Sequence, residues 1–152
     1  MFPPSPNSLM EMSLQIGDPR NARLFFHELG FLTSRIFRDD DEDMHFLFYD
    51  ADIVAKLVDD ISTIMLDFTY NVCPVVPNAN LQLRTVMCVY RGHAIPVLWF
   101  IISRKTTNAY RKMCSLIREL FATSNILMIV TDFELPLRVA LRETFGATVY
   151  LI

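Results

Sequence analysis

The chain has 152 residues, 52% of them hydrophobic and 20% charged, which supplies one apolar core and excludes a disordered chain. The net charge of −3 is uneven: residues 1–60 hold 5 basic and 12 acidic side chains, and residues 61–152 hold 9 and 5. That mild basic excess is far from a strong nucleic-acid footprint, and no apolar run approaches the roughly 18 residues of a membrane span.

Met1-Phe2-Pro3-Pro4-Ser5-Pro6 has no basic stretch followed by an apolar one, so it does not read as a secretory signal. Cys73, Cys88 and Cys114 are widely spaced and lack any C-x-x-C pairing. They point to a reducing compartment, nuclear or cytoplasmic, and exclude a cysteine-rich zinc module.

Residues 1–16 are rich in Pro, Ser and Asn and are expected to be disordered. Residues 17–60 form an acidic extension. Within it Leu24, Phe25, Leu29, Leu32 and Ile36 recur at helical spacing, which predicts a helix over Asn21–Phe37. The run Asp39-Asp40-Asp41-Glu42-Asp43 breaks it and reads as a solvated loop. Met44–Tyr49 reads as a short aromatic strand, and Asp50 is placed to cap a helix over Asp52–Asp59.

Residues 61–152 carry the clearest pattern. Ile61–Phe68 is apolar on alternate and intervening positions, as in a strand buried on both faces. Leu83–Tyr90 and Ala94–Ile102 read as a hairpin joined by Arg91-Gly92-His93. Pro96 cannot donate a ladder hydrogen bond, so the second arm is expected at a sheet edge. Asn108–Phe121 is an amphipathic helix with Tyr110, Met113, Cys114, Ile117, Leu120 and Phe121 on one stripe. Ile126–Val130 is a strand ending at Thr131-Asp132. A helix with Pro136 in its first turn and Gly146 past its end follows, then a strand over Ala147–Ile152.

The order β-β-β-α-β-α-β from Ile61 resembles the ribonuclease H-like arrangement. That implies an α/β fold with a mixed five-stranded sheet, order 3-2-1-4-5 counted from Ile61, flanked by helices. Strands 1 and 4 are then parallel neighbours. Asp67 near the end of strand 1 and Asp132 just past strand 4 are expected roughly 5 Å apart. Two carboxylates so close repel unless a cation lies between them, which suits Mg²⁺ or Mn²⁺. Taken alone, each aspartate is more readily read as a turn or cap residue. An unpaired carboxylate closing a buried strand costs several kcal/mol, which favours a functional Asp67.

At these positions Asp67-Phe68-Thr69-Tyr70-Asn71-Val72-Cys73-Pro74 resembles the D-G-T-F…C-P start of the Mutator-like (MULE) transposase domain. Gln82-Leu83, Pro96 and Arg104-Lys105…Tyr110 continue the likeness, and Ile129-Val130-Thr131-Asp132-Phe133-Glu134 is similar to that family's T-D-F-E block. The resemblance spans Phe46–Ile152. It implies a DDE-type lineage performing Mg²⁺-dependent DNA cleavage and strand transfer, with Asp67 and Asp132 as the first two catalytic, metal-binding carboxylates. Phe68 stands where the family has glycine, and neither the family's C-x-H motif nor its third acid falls within these 152 residues. Glu134 is weighed as a first-turn carboxylate near the metal.

Arg104, Lys105, Arg111 and Lys112 form a local basic patch, either an exposed helix face or a set of DNA phosphate contacts. His27, His45 and His93 share no zinc spacing, and Ser103 and Ser115 have no local base-and-orienter pattern. Two readings stand: a transposase catalytic core acting on DNA, or a non-catalytic domesticated or remnant domain that binds protein or nucleic acid and self-associates through the last strand's edge. A receiver-like phospho-acceptor is disfavoured, because three strands run consecutively before the first long helix.

Overall fold

The computed structural model describes residues 4–18, 20–21, 32–69, 73, 75–146 and 149–152. Among these, seven strands form one mixed sheet: β1 (Leu32–Arg38), β2 (Met44–Asp50), β3 (Thr63–Thr69), β4 (Gln82–Tyr90), β5 (His93–Ile102), β6 (Met128–Val130) and β7 (Tyr150–Leu151). Their order is β1-β2-β5-β4-β3-β6-β7. The pairs β3–β6 and β6–β7 are parallel and the others antiparallel. Four α-helices accompany them: α1 (Leu9–Gly17), α2 (Ala51–Leu57), α3 (Thr107–Leu120) and α4 (Leu135–Phe145). No helix among the described residues is long and apolar enough to cross a membrane.

The main core lies between one sheet face and α2, α3 and α4. Leu47, Ile64, Leu66, Val86, Cys88, Leu98, Phe100 and Ile129 of the sheet meet Val54, Met113, Cys114, Ile117, Leu137, Ala140 and Leu141 of the helices. Ile64, Ile129 and Leu141 are fully buried, each worth about 1.5–3 kcal/mol relative to exposure. A smaller cluster on the opposite face packs Met12 of α1 and Val76 against Met44 and Phe46.

Local signals explain most element ends. Thr106 caps α3 by accepting from the Ala109 N–H at 3.1 Å, and Asp50 caps α2 by accepting from Asp52 and Ile53. Pro136 lies in the first turn of α4, and Gly146 ends that helix at φ 87°. The β4–β5 hairpin turns on Arg91 and Gly92, both at positive φ, between the paired Tyr90 and His93. Two positive φ values in a two-residue loop match the right-handed strand twist.

Four sequence expectations need correction. Leu32–Arg38 is a strand, not the end of an Asn21–Phe37 helix, because pairing with β2 over its whole length satisfies its backbone and turns Phe37 into the core. The upstream positions Leu24, Phe25 and Leu29 lie outside the described residues. Leu9–Gly17 is helical although composition predicts disorder: Ser8 Oγ accepts from the Glu11 N–H, Glu11 accepts from the Asn7 N–H, and Met12 anchors the helix. The Pro96 strand is interior, between β4 and β2. Pro96 is tolerated because β2 pairs with β5 only at Leu98–Ile101, and because Val97 is the extra residue of a bulge between Val86↔Leu98 and Met87↔Pro96. Finally, β3 is not buried on both faces. Ile64 and Leu66 are buried, Thr63 and Met65 are half-buried, and Asp67 is exposed.

Candidate functional site at the carboxyl ends of β3 and β6

β3 and β6 are parallel neighbours in the register Thr63↔Met128, Ile64↔Ile129, Met65↔Val130. That pairing ends at Met65↔Val130, and Asp67 and Asp132 each follow two residues later. The chain leaves β3 toward β4 on one side and leaves β6 toward β7 on the other. Such a divergence opens a crevice outside the carboxyl ends of the strands, where open α/β sheets bind ligands. Side-chain alternation puts Asp67 on the face opposite Ile64 and Leu66, and it is exposed. Exposure removes the burial cost expected for an unpaired carboxylate at the end of β3.

Asp132 is half-buried in the loop between β6 and α4. Its Oδ1 accepts from the Glu134 N–H at 3.2 Å. The expected turn role is thus present, but the aspartate is not the cap residue of α4. That place belongs to Glu134, whose side chain does not cap the helix.

Glu134 instead closes a buried polar network. Its Oε2 accepts from Arg84 Nη2 at 2.6 Å and its Oε1 from the Tyr110 hydroxyl at 2.7 Å. Arg84 Nη2 also donates to the Tyr110 oxygen and to Gln82 Oε1. Arg84 and Tyr110 are fully buried, and the Glu134 side chain is 18% exposed. The guanidinium carbon lies 5.2 Å from the centre of the Tyr110 ring. Burial, and then the bond to the Glu134 carboxylate, push the Tyr110 hydroxyl up, so it stays a proton donor. Both carboxylate oxygens of Glu134 are engaged here.

A second buried network ties the acidic turn to β5. Asp39 is 4% exposed despite standing in the run expected to be solvated. Its Oδ1 accepts from the backbone N–H groups of Asp41 and Asp43, at 2.9 and 3.0 Å. Its Oδ2 lies 2.9 Å from His45 Nε2. The Ser103 N–H donates to His45 Nδ1 at 3.1 Å, so Nδ1 carries the lone pair and Nε2 the proton. Ser103 Oγ is 3.4 Å from the same Nδ1. The Asp-His-Ser series has the connectivity of a nucleophilic triad, yet all three residues are buried and the backbone N–H already occupies the ring's only lone pair. It is a structural staple. The oxygens of Asp39, Asp41 and Asp43 lie within 4.8 Å of one another and could hold a metal ion.

The basic patch is largely neutralised. Arg111 donates to both oxygens of Glu143, at 2.6 and 2.9 Å, and to Asn108 at 3.0 Å. That pairing raises the Arg111 pKa and lowers that of Glu143. Arg104 lies 3.5 Å from Asp43. Lys105 and Lys112 are exposed. Cys88 and Cys114 are buried free thiols and Cys73 is half-buried; burial pushes Cys88 up to about 12.

Sequence reasoning missed Arg84. Its signal is an arginine at an inward position of an alternating strand, between Gln82 and Val86. Nothing local announces its partners, 26 and 50 residues away. Comparison with known proteins adds no assignment: no family model matches the chain, and no curated protein or solved structure is significantly similar to it.

Proposed function

We propose that the chain is a domain of Mutator-like transposase lineage, with a ribonuclease H-like unit built on β3–β7 and a divalent-metal site at Asp67 and Asp132. One observation carries this reading. Those two aspartates, 65 positions apart, each lie two residues past the last pair of the parallel β3–β6 ladder, Met65↔Val130, at its diverging carboxyl ends. The contiguous run β5-β4-β3-β6-β7 within the larger sheet supports the ribonuclease H-like assignment.

The donor set fits a hard cation. It consists of carboxylate oxygens, while the buried thiols of Cys88 and Cys114 belong to the main core cluster. Asp67 and Asp132 would hold Mg²⁺ or Mn²⁺, which would supply activation of a water or 3′ hydroxyl and charge stabilisation for a leaving oxygen in phosphodiester chemistry. The chain's own contribution is to present Asp67 from a rigid strand, to hold Asp132 in a turn fixed by the Glu134 N–H, and to offer Lys105 and Lys112 to phosphates.

A second reading, a non-catalytic module of the same lineage, is favoured by one set of contacts: Glu134, Arg104 and Arg111 are engaged with partners inside the chain. Self-association at the β7 edge, where Tyr150 and Ile152 are 72% and 61% exposed, belongs to that reading.

The test is Mg²⁺- or Mn²⁺-dependent nicking of supercoiled DNA by the chain, Asp67→Ala and Asp132→Ala. The catalytic reading expects nicking by the parent and none by either variant. Activity indifferent to both substitutions sinks it, and a chain that binds Mn²⁺ through Asp67 without nicking supports the non-catalytic module.

A further inference from the structure

We propose that Glu134, clamped by Arg84 and Tyr110, is a positioning residue for the Asp132 carboxylate. The inference rests on reading Asp67 and Asp132 as a divalent-cation site.

Three elements converge on Glu134. Arg84 comes from near the start of β4, Tyr110 from the first turn of α3, and Glu134 itself stands at the entry to α4. Both carboxylate oxygens are held, by donors that are fully buried. Fixing this side chain fixes the residue's backbone, and its N–H donates to Asp132 Oδ1. On the other side of Asp132, the Thr131 N–H donates to the Ile152 carbonyl at 2.8 Å. The aspartate is therefore suspended between two anchored residues.

Burying a charged pair costs desolvation that apolar packing of the same volume avoids, so its presence argues for geometry as well as stability. The pair lies next to the diverging strand ends. The partners of metal ligands orient them, and losing such a partner weakens the metal. Here the partner of the ligand is a backbone N–H, and the buried network holds that N–H in place.

The experiment is Mn²⁺ affinity, measured by electron paramagnetic resonance on the full chain well below its unfolding temperature. The set is the parent, Asp67→Asn, Tyr110→Phe and Glu134→Gln. Tyr110→Phe removes one hydroxyl and keeps the ring, so it reports even where Glu134→Gln fails to fold. A merely structural role would lower the unfolding midpoint and leave the Mn²⁺ affinity of the folded chain unchanged.

Positioning predicts that Asp67→Asn abolishes the site and that Tyr110→Phe and Glu134→Gln each weaken it about tenfold. Loss on Asp67→Asn with less than about a threefold change in the folded network variants overturns positioning and leaves the metal site standing. Binding that is absent in the parent, or indifferent to Asp67→Asn, overturns both.

Discussion

Two carboxylate groups lie at the same end of the sheet and are built in opposite ways. The row Thr69–Leu83–Ile101–Phe46–Ile36 crosses the sheet near that end. The Asp39–Asp43 turn joins β1 and β2 at one end of that row and the Asp67–Asp132 pair belongs to β3 and β6 at the other, four strand spacings or roughly 19 Å away. The turn gathers its acids from five consecutive positions, and Asp39 spends its lone pairs on the backbone N–H groups of that same turn and on His45. The pair comes from two different strands, and its first member is exposed. Acidic density along the chain marks a structural knot. The proposed metal pair consists of two acids that neither stand in an acidic run nor neighbour each other in sequence.

If this contrast is right, substitutions should separate stability from metal binding. The largest stability effect is expected at Glu134→Leu, which removes the carboxylate paired with the buried Arg84 guanidinium. A loss of about 3–5 kcal/mol in urea unfolding is predicted. Arg84→Met added to Glu134→Leu should restore most of it, and a double variant no better than the single one would contradict the ion-pair account.

Asp39→Ala comes next. It removes the acceptor of two backbone N–H groups and of His45, so a loss of about 2–3 kcal/mol is expected, or roughly 4–12 °C in thermal midpoint for a chain of this size. An unchanged midpoint would show that the turn is held by something else.

Asp67→Asn should shift stability by less than about 0.5 kcal/mol, because an exposed carboxylate is altered. The same variant should lose any Mn²⁺-induced rise in midpoint, by mass action. Arg111→Ala, at an exposed pair with Glu143, should leave the midpoint unchanged within error. Its sign with pH is fixed: the lowered Glu143 pKa gives whatever stability the pair supplies above the ordinary carboxylate range, and this is lost as pH falls through the lowered value.

Much of the fold was legible because its signals are local. The stripe of α3, the Arg91-Gly92 turn, and Pro136 with Gly146 around α4 each lie within one element, and the structure agrees with them. Leu32–Arg38 was not legible: Leu32 and Ile36 are four apart by helical spacing, and only pairing with β2 makes the segment a strand. Pro96 misled because a bulge and the early departure of β2 are properties of neighbouring strands. At the site, the two aspartates stand out at strand ends. The Arg84–Tyr110–Glu134 and Asp39–His45–Ser103 networks depend on contacts spanning up to 58 residues, which periodicity does not encode.

The most direct test of the metal pair is Mn²⁺ titration of the chain beside Asp67→Asn, Asp132→Asn and Asp41→Asn. The account predicts one site that both of the first two substitutions remove and that Asp41→Asn leaves intact. A site that survives Asp67→Asn and Asp132→Asn but disappears with Asp41→Asn would place the cation in the acidic turn and contradict it.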